Sequence, residues 1–283
     1  MNERINTIAV LGGDKRQLFC AKALADYGYN VVLAGFDLLE SYGSLELTSL
    51  DNALKYADVF LLPLTGVKGD FIPCYFSDKE IKLTAKVRRA LNEKPVIMGR
   101  SSSLKGVKAY DLLAREDFAV LNAQPTAEGA LCVAIKSYEK TILGSKILVI
   151  GYGRIGKALS KMLKAINAEV SVAARSSVKR AYIKSDGNIP VDTHSLDSIS
   201  GYDIVFNTAD APVITEEILK NSGCDTLIID LASYPGGVDF NAAEKLGFTA
   251  FTASALPGQF SPMTAGEIIA DTLVTILKEE YSL

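Results

Sequence analysis

Lys146-Ile147-Leu148-Val149-Ile150-Gly151-Tyr152-Gly153-Arg154-Ile155-Gly156 decides how this 283-residue chain folds. An apolar run leads straight into a Gly-x-Gly-x-x-Gly turn, and residues 154–166 then carry helical periodicity. Strand, spacing and helix in that order make the dinucleotide-binding turn of a Rossmann unit. Gly151 permits the tight turn, Gly153 lets the backbone approach a pyrophosphate, and Gly156 lets helix and strand pack closely. The backbone of Gly151, Gly153, Arg154, Ile155 and Gly156 is expected to bind phosphate at the positive end of the helix dipole.

The next strand chooses the dinucleotide. An acid at its end holds the ribose 2′-hydroxyl of NAD, whereas an Arg accommodates the 2′-phosphate of NADP. The chain reads Ala173-Ala174-Arg175-Ser176-Ser177 with no acid, so Arg175 and Ser176 point to NADP(H), with Lys179 or Arg180 assisting. Thr208, Ala209 and Leu231, at the ends of later strands, complete the expected cofactor site.

Working outward, strands are expected at 169–174, 203–207, 226–230 and 248–252. Towards the N-terminus, apolar runs at 5–12, 30–34, 58–62, 95–98 and 118–121 alternate with helical patterns at 15–27, 78–91 and 105–116. Alternation of this kind builds βαβ units on parallel sheets. The fold expected is α/β, with two Rossmann-like domains. Residues 1–124 would form a substrate domain, joined by a tail helix (265–283) that crosses back to it. Residues 125–264 would form the NADP-binding domain, with Pro125 opening a bridging helix over 126–141.

Composition narrows the partners. A net charge of −3 and a pI near 5.4 argue against nucleic acid, which needs clustered cations. No apolar run is expected to reach membrane-spanning length. The four cysteines are isolated, which reads as reduced thiols in the cytoplasm rather than a metal site.

Several polar clusters are candidates for substrate chemistry. Gly12, Gly13, Asp14 and Arg16 lie where the first strand meets its helix. Their amides and guanidinium can cradle a carboxylate, or Asp14 can simply cap the helix. Thr126 and Glu128 follow Pro125 at the domain junction, with hinge function and helix capping both open. Ser233, Gly236 and Gly237 belong to a Gly- and Pro-rich loop where a nicotinamide ring should lie. Residues 256–262 form a second rigid loop on the same side. Asp14 and Glu128 are the candidate proton acceptors, and Ser233 completes the catalytic set. The single histidine, His194, is placed on a solvent-exposed connection away from the cleft and is declined as an acid–base group.

Ile8-Ala9-Val10-Leu11-Gly12-Gly13-Asp14 with Arg16-Gln17, Pro125-Thr126-Ala127-Glu128-Gly129-Ala130 and the Gly151–Gly156 turn carry a further signal. So do Ala174-Arg175-Ser176, Ile229-Asp230-Leu231-Ala232-Ser233 with Pro235-Gly236-Gly237, and Leu256-Pro257-Gly258 with Pro262 and Thr264-Ala265-Gly266. Over its whole length the chain resembles the dipicolinate synthase A-subunit family. Family members usually carry two lysines in the last motif, where this chain has Gln259 and Met263. The resemblance implies oxidation of a dihydrodipicolinate-type ring to pyridine-2,6-dicarboxylate with NADP. It also implies a flavoprotein-like B-subunit as partner, a homo- or hetero-oligomer, and work in the mother cell of a sporulating bacterium. Two rivals share the layout: an alanine-dehydrogenase-like or 2-hydroxyacid dehydrogenase, and a non-catalytic NADPH-binding regulator of a partner.

Overall fold

The computed structural model describes residues 5–39, 43 and 45–281. The chain divides into two compact α/β units, Met1–Asn122 with Ser261–Leu283 and Ala123–Phe260. In the first, β1 (Thr7–Leu11), α1 (Lys15–Asp26), β2 (Asn30–Ala34), β3 (Glu46–Leu47), α2 (Leu50–Tyr56) and β4 (Val59–Leu61) are followed by a two-stranded hairpin, β5 (Phe71–Ile72) and β6 (Ile81–Lys82). α3 (Ala85–Glu93), β7 (Val96–Met98) and β8 (Tyr110–Asp111) finish the main sheet, whose parallel order is β3-β2-β1-β4-β7-β8. The 22-residue α4 (Glu116–Ser137) then leads into the second unit.

There, β9 (Lys146–Ile150), α5 (Arg154–Ala165), β10 (Glu169–Ala174), α6 (Ser177–Ser185), β11 (Ile189–Asp192) and β12 (Ile204–Asn207) are followed by α7 (Glu216–Lys220), β13 (Leu227–Asp230), α8 (Phe240–Lys245), β14 (Ala250–Thr252) and α9 (Leu256–Phe260). The parallel order is β11-β10-β9-β12-β13-β14. Both sheets therefore reverse direction beside their first strand, the doubly wound Rossmann arrangement. The final helix, α10 (Pro262–Tyr281), belongs to the first unit.

Each central strand alternates its faces. Ile8 and Val10 pack with α1 and with Ile269, Leu273 and Ile276 of α10, while Ala9 and Leu11 face Ala53, Val87 and Leu91 of α2 and α3. Ile147 and Val149 pack with Ala127, Ala130 and Ala134 of α4 and Leu159 of α5, while Leu148 and Ile150 face Ile218 and Ala243. Strands buried on both faces read as unbroken apolar runs, which is why the sequence shows them so clearly. The tail helix reaches α1 closely because Gly266 has no side chain. A Cβ there would stand 2.6 Å from the Arg16 carbonyl and 2.7 Å from the Cys20 nitrogen.

Four local expectations are corrected. Residues 118–121 are the first turns of α4, not a strand: Phe118 is buried while Val120 and Leu121 are exposed, a helical rather than a two-sided pattern. A short apolar run does not separate the two by periodicity alone. The α-helix expected at 105–116 does not form; residues 105–115 supply β8 and a 3₁₀ turn at Leu112–Ala114, closing the sheet's edge beside β7. Pro125 sits inside α4 rather than at its start. It cannot donate to the Leu121 carbonyl, and Leu121 lies on the exposed face of the helix, where an unpaired carbonyl costs least. Residues 256–260 form α9 rather than an open loop. One membrane expectation also changes, since α4 has the length and hydropathy of a spanning helix; its small residues are nonetheless packed in the α/β core.

Candidate functional site

A groove of about 570 Å³ opens at the carboxyl ends of β9, β10 and β12. It is lined by Gly151-Tyr152-Gly153, by Arg175, Ser176 and Lys179, by Thr193 and His194, and by the 208–213 segment. Open α/β sheets bind ligands at this edge, where the strand order reverses.

The glycines divide the work as their positions dictate. Gly151 has φ +100°, and a side chain on it would strike the Thr208 hydroxyl. A Cβ on Gly156 would overlap the Gly151 carbonyl, so only glycine lets α5 sit so close to β9. A Cβ on Gly153 would meet nothing within 4 Å, which leaves space over the turn. Gly153 is also the N-cap of α5, with no side-chain acceptor. By contrast α1, α2, α3, α6, α7 and α8 are each capped by an Asp, Ser or Thr side chain. Arg154 and Ile155 open α5, whose first turn has no side-chain cap and keeps the dipole that favours an anion.

The first unit repeats the topology but not this chemistry. Asp14 occupies the N-cap of α1, accepts from the Arg16 N–H at 2.9 Å, and forms a capping box with Gln17. Its carboxylate also takes Nε and Nη2 of Arg16, at 3.0 and 2.6 Å. The Gly12 N–H donates to the Ala34 carbonyl and the Gly13 N–H to the Pro73 carbonyl. The expectation that these two amides cradle a carboxylate is therefore corrected: both donors are used within the unit. The Asp14 carboxylate, expected as a proton acceptor, is engaged with the helix N-terminus and the guanidinium. A phosphate is excluded as well, because a carboxylate already stands at that helix terminus.

On the strand next to β12, Asp230 closes β13 and is 1% exposed. Its Oδ1 accepts from Asn207 Nδ2 at 2.8 Å and from the Ala232 N–H at 3.0 Å. Its Oδ2 accepts from the Gly237 N–H at 3.0 Å. The Gly237 carbonyl in turn accepts from Val213 and Ile214, tying the loop after β13 to the groove wall after β12. Side chains on Gly236 or Gly237 would run into Asp230 or Asn207. The Gly236 N–H donates to the Ser233 carbonyl. Gly236 and Gly237 are thus corrected from substrate donors to the packing that holds the loop. Sequence reasoning did not single out Asn207 or Asp230; the available signal was a polar residue ending each of two otherwise apolar strands.

Thr208 and Ala209 line the groove, with the Thr208 hydroxyl on the Ile150 carbonyl at 2.9 Å. Leu231 is corrected: it is buried in the core, and its N–H is spent on Asn207. Ser176 caps α6, and Arg175 beside it is exposed. Thr126 lies buried in mid-helix, so it caps nothing, and Glu128 is exposed on the same helix. Ser233 is exposed, and its hydroxyl is free of hydrogen bonds among the described residues. His194 is exposed, but it lines the groove, so the expectation that it lies away from the site is corrected. It sits at the end carrying Arg175, remote in the sheet order from β13.

Known proteins align with both units. A family model for the N-terminal domain of the dipicolinate synthase A-subunit matches residues 7–107, and one described as "NADP oxidoreductase coenzyme F420-dependent" matches residues 146–234. The dipicolinate synthase A-subunit of Bacillus subtilis (strain 168) is 34% identical, spanning 96% of this chain and 96% of its own length. The crystal structure of the same subunit from Bacillus halodurans superposes with a TM-score of 0.87 at 33% identity, covering 96% of this chain and 97% of that one. The corresponding structure from Bacillus subtilis gives the same TM-score and identity over 98% and 97%. A transhydrogenase from Sinorhizobium meliloti, at 17% identity and a TM-score of 0.66, shares the fold. The second unit is a nicotinamide-dinucleotide-binding domain of oxidoreductase type.

Proposed function

The chain belongs to the dipicolinate synthase A-subunit family, and from that premise we propose that it oxidises a dihydrodipicolinate-type ring to pyridine-2,6-dicarboxylate with NADP. The observation that carries the reading is the groove after β9, with its uncapped α5 and a cationic ribose end. Arg175 and Lys179 make no ion pair among the described residues, and no acid follows β10 to claim a ribose 2′-hydroxyl. A 2′-phosphate fits that set better than a hydroxyl does. When bound, the dinucleotide supplies the hydride acceptor; the protein supplies the rest.

The first turn of α5 binds the diphosphate, and Thr208 and Ala209 form one wall. The Asp230–Asn207 pair fixes the loop that faces the nicotinamide. Asp14 leaves Nη1 of Arg16 as the donor for one substrate carboxylate. Ring oxidation releases one hydride and one proton. Glu128 and Ser233 are the candidate polar side chains still uncommitted, and so are the groups assigned to that proton. Aromatisation makes the step favourable, so a His–carboxylate dyad is not required. A 2-hydroxyacid dehydrogenase wants such a dyad near the hydride acceptor. The chain's one histidine stands at the opposite, Arg175 end of the groove.

The partner in this reading is a flavoprotein-like B-subunit, in the mother cell of a sporulating bacterium. NADP⁺ reduction followed at the nicotinamide absorbance, with dihydrodipicolinate and with or without that partner, tests it. Turnover of a 2-oxo acid instead, or cofactor binding with no turnover in either mixture, overturns it. Arg175→Asp should lower the NADPH to NADH affinity ratio about tenfold or more, the loss of a charge-assisted phosphate pair; an unchanged ratio rejects NADP.

A further inference from the structure

His194 and Arg180 exchange the roles their sequence positions suggest. Arg180, a cation four residues past Ser176, looks like a phosphate ligand, yet its guanidinium is engaged within the protein. Nη1 donates to the carbonyls of Ala174 at 2.9 Å and Arg175 at 2.7 Å, and Nη2 pairs with Asp192 Oδ2 at 3.0 Å. The other Asp192 oxygen, Oδ1, accepts from the His194 N–H at 3.0 Å. One guanidinium therefore joins the end of β10, the body of α6 and the end of β11. The chain of contacts sets the backbone of His194 beside the Arg175 loop.

The imidazole itself makes no hydrogen bond or ion pair among the described residues, although it lines the groove. It shares that end with Arg175, Ser176, Lys179 and Thr193. The charge of Asp192 is spent on Arg180. The one acid lining the groove among the described residues, Asp210, lies on the segment after β12. This corner is thus rich in donors and short of acceptors, which suits a dianion with three acceptor oxygens.

Resting on the NADP reading above, we propose that His194 is a specificity-determining residue whose imidazole donates to the adenosine 2′-phosphate. Arg180 and Asp192 are the positioning pair that holds its loop in reach. The group recognised is a phosphomonoester on the ribose, and the rest of the adenosine is left to the groove walls.

The test uses the full chain and three probes, NADPH, NADH and 2′,5′-ADP, titrated calorimetrically. His194→Ala is expected to weaken NADPH and 2′,5′-ADP about tenfold, the scale of one charge-assisted hydrogen bond, and to leave NADH unchanged. His194→Gln, which keeps a donor, should recover part of that loss. Asp192→Asn should weaken the same two probes, and adding it to His194→Ala should weaken them no further. Equal weakening of NADH overturns the proposal in favour of an adenine contact. Unchanged binding of all three overturns it outright, and additive effects overturn the positioning pair. A wild-type chain that ignores 2′,5′-ADP and does not prefer NADPH defeats the NADP reading and this inference together. A wild type that prefers NADPH, with a His194→Ala variant that prefers it equally, defeats this inference alone. A thermal midpoint within a few degrees of wild type establishes that the variants are folded.

Discussion

Asp230→Asn is the sharpest probe of how the groove is built. The carboxylate is buried and accepts three hydrogen bonds, two on Oδ1 from Asn207 Nδ2 and the Ala232 N–H, and one on Oδ2 from the Gly237 N–H. An asparagine of the same shape keeps its oxygen where two donors converge, so its NH₂ faces the Gly237 N–H. One buried donor is then unsatisfied, at about 1–3 kcal/mol, and the two surviving bonds lose their charge assistance. Relief of burying a charge offsets part of this, and about 2 kcal/mol of lost stability remains. That is roughly a 30-fold shift in the folding equilibrium. Urea unfolding should show a lower midpoint at constant slope. The Gly237 carbonyl also holds Val213 and Ile214, so dinucleotide affinity should fall with stability. Loss of less than about 0.5 kcal/mol, with cofactor affinity intact, would refute the assignment of Asp230 as the anchor, since surface substitutions stay within that range.

Other expected outcomes follow from neighbouring contacts. Gly156→Ala forces a Cβ into the Gly151 carbonyl and should cost about 1–3 kcal/mol while abolishing tight NADPH binding, read by unfolding and by nucleotide titration. Burial pushes the Asp203 carboxyl up, but the Lys146 N–H and the Tyr138 hydroxyl outweigh it and hold it below the ordinary carboxylate range. A depressed folded value gives stability that is complete above the unfolded value, about 3.9, and is lost as pH falls through the folded one. Tyr138→Phe should therefore be less stable than wild type at pH 7, with the difference shrinking below about pH 4 in a pH series of thermal melts. Cys224 is exposed and Cys20 is buried, its thiol pushed up by burial and by Asp271, so iodoacetamide should label Cys224 first and Cys20 only on unfolding. Protection of Cys224 in the native protein contradicts this.

Much of this protein is written in the sequence itself. Strands such as 146–150 and 204–207 are buried on both faces, so they read as apolar runs wherever they occur. The turn at Gly151–Gly156 is legible because Gly151 and Gly156 answer backbone needs that no other residue meets. Full-length likeness to the dipicolinate synthase A-subunit family was legible for the same reason, since its motifs are the turns and strand ends. Side-chain partners were not legible, because they are chosen across distances that sequence spacing does not encode. Gly12 and Gly13 look like anion donors until the carbonyls of Ala34 and Pro73 are found on their amides. Arg180 looks like a ligand until Asp192 and two backbone carbonyls account for it. The sequence alone determined that a dinucleotide turn exists and where it lies. Only the tertiary structure decided which polar groups are already satisfied within the protein, and so which remain to bind anything else.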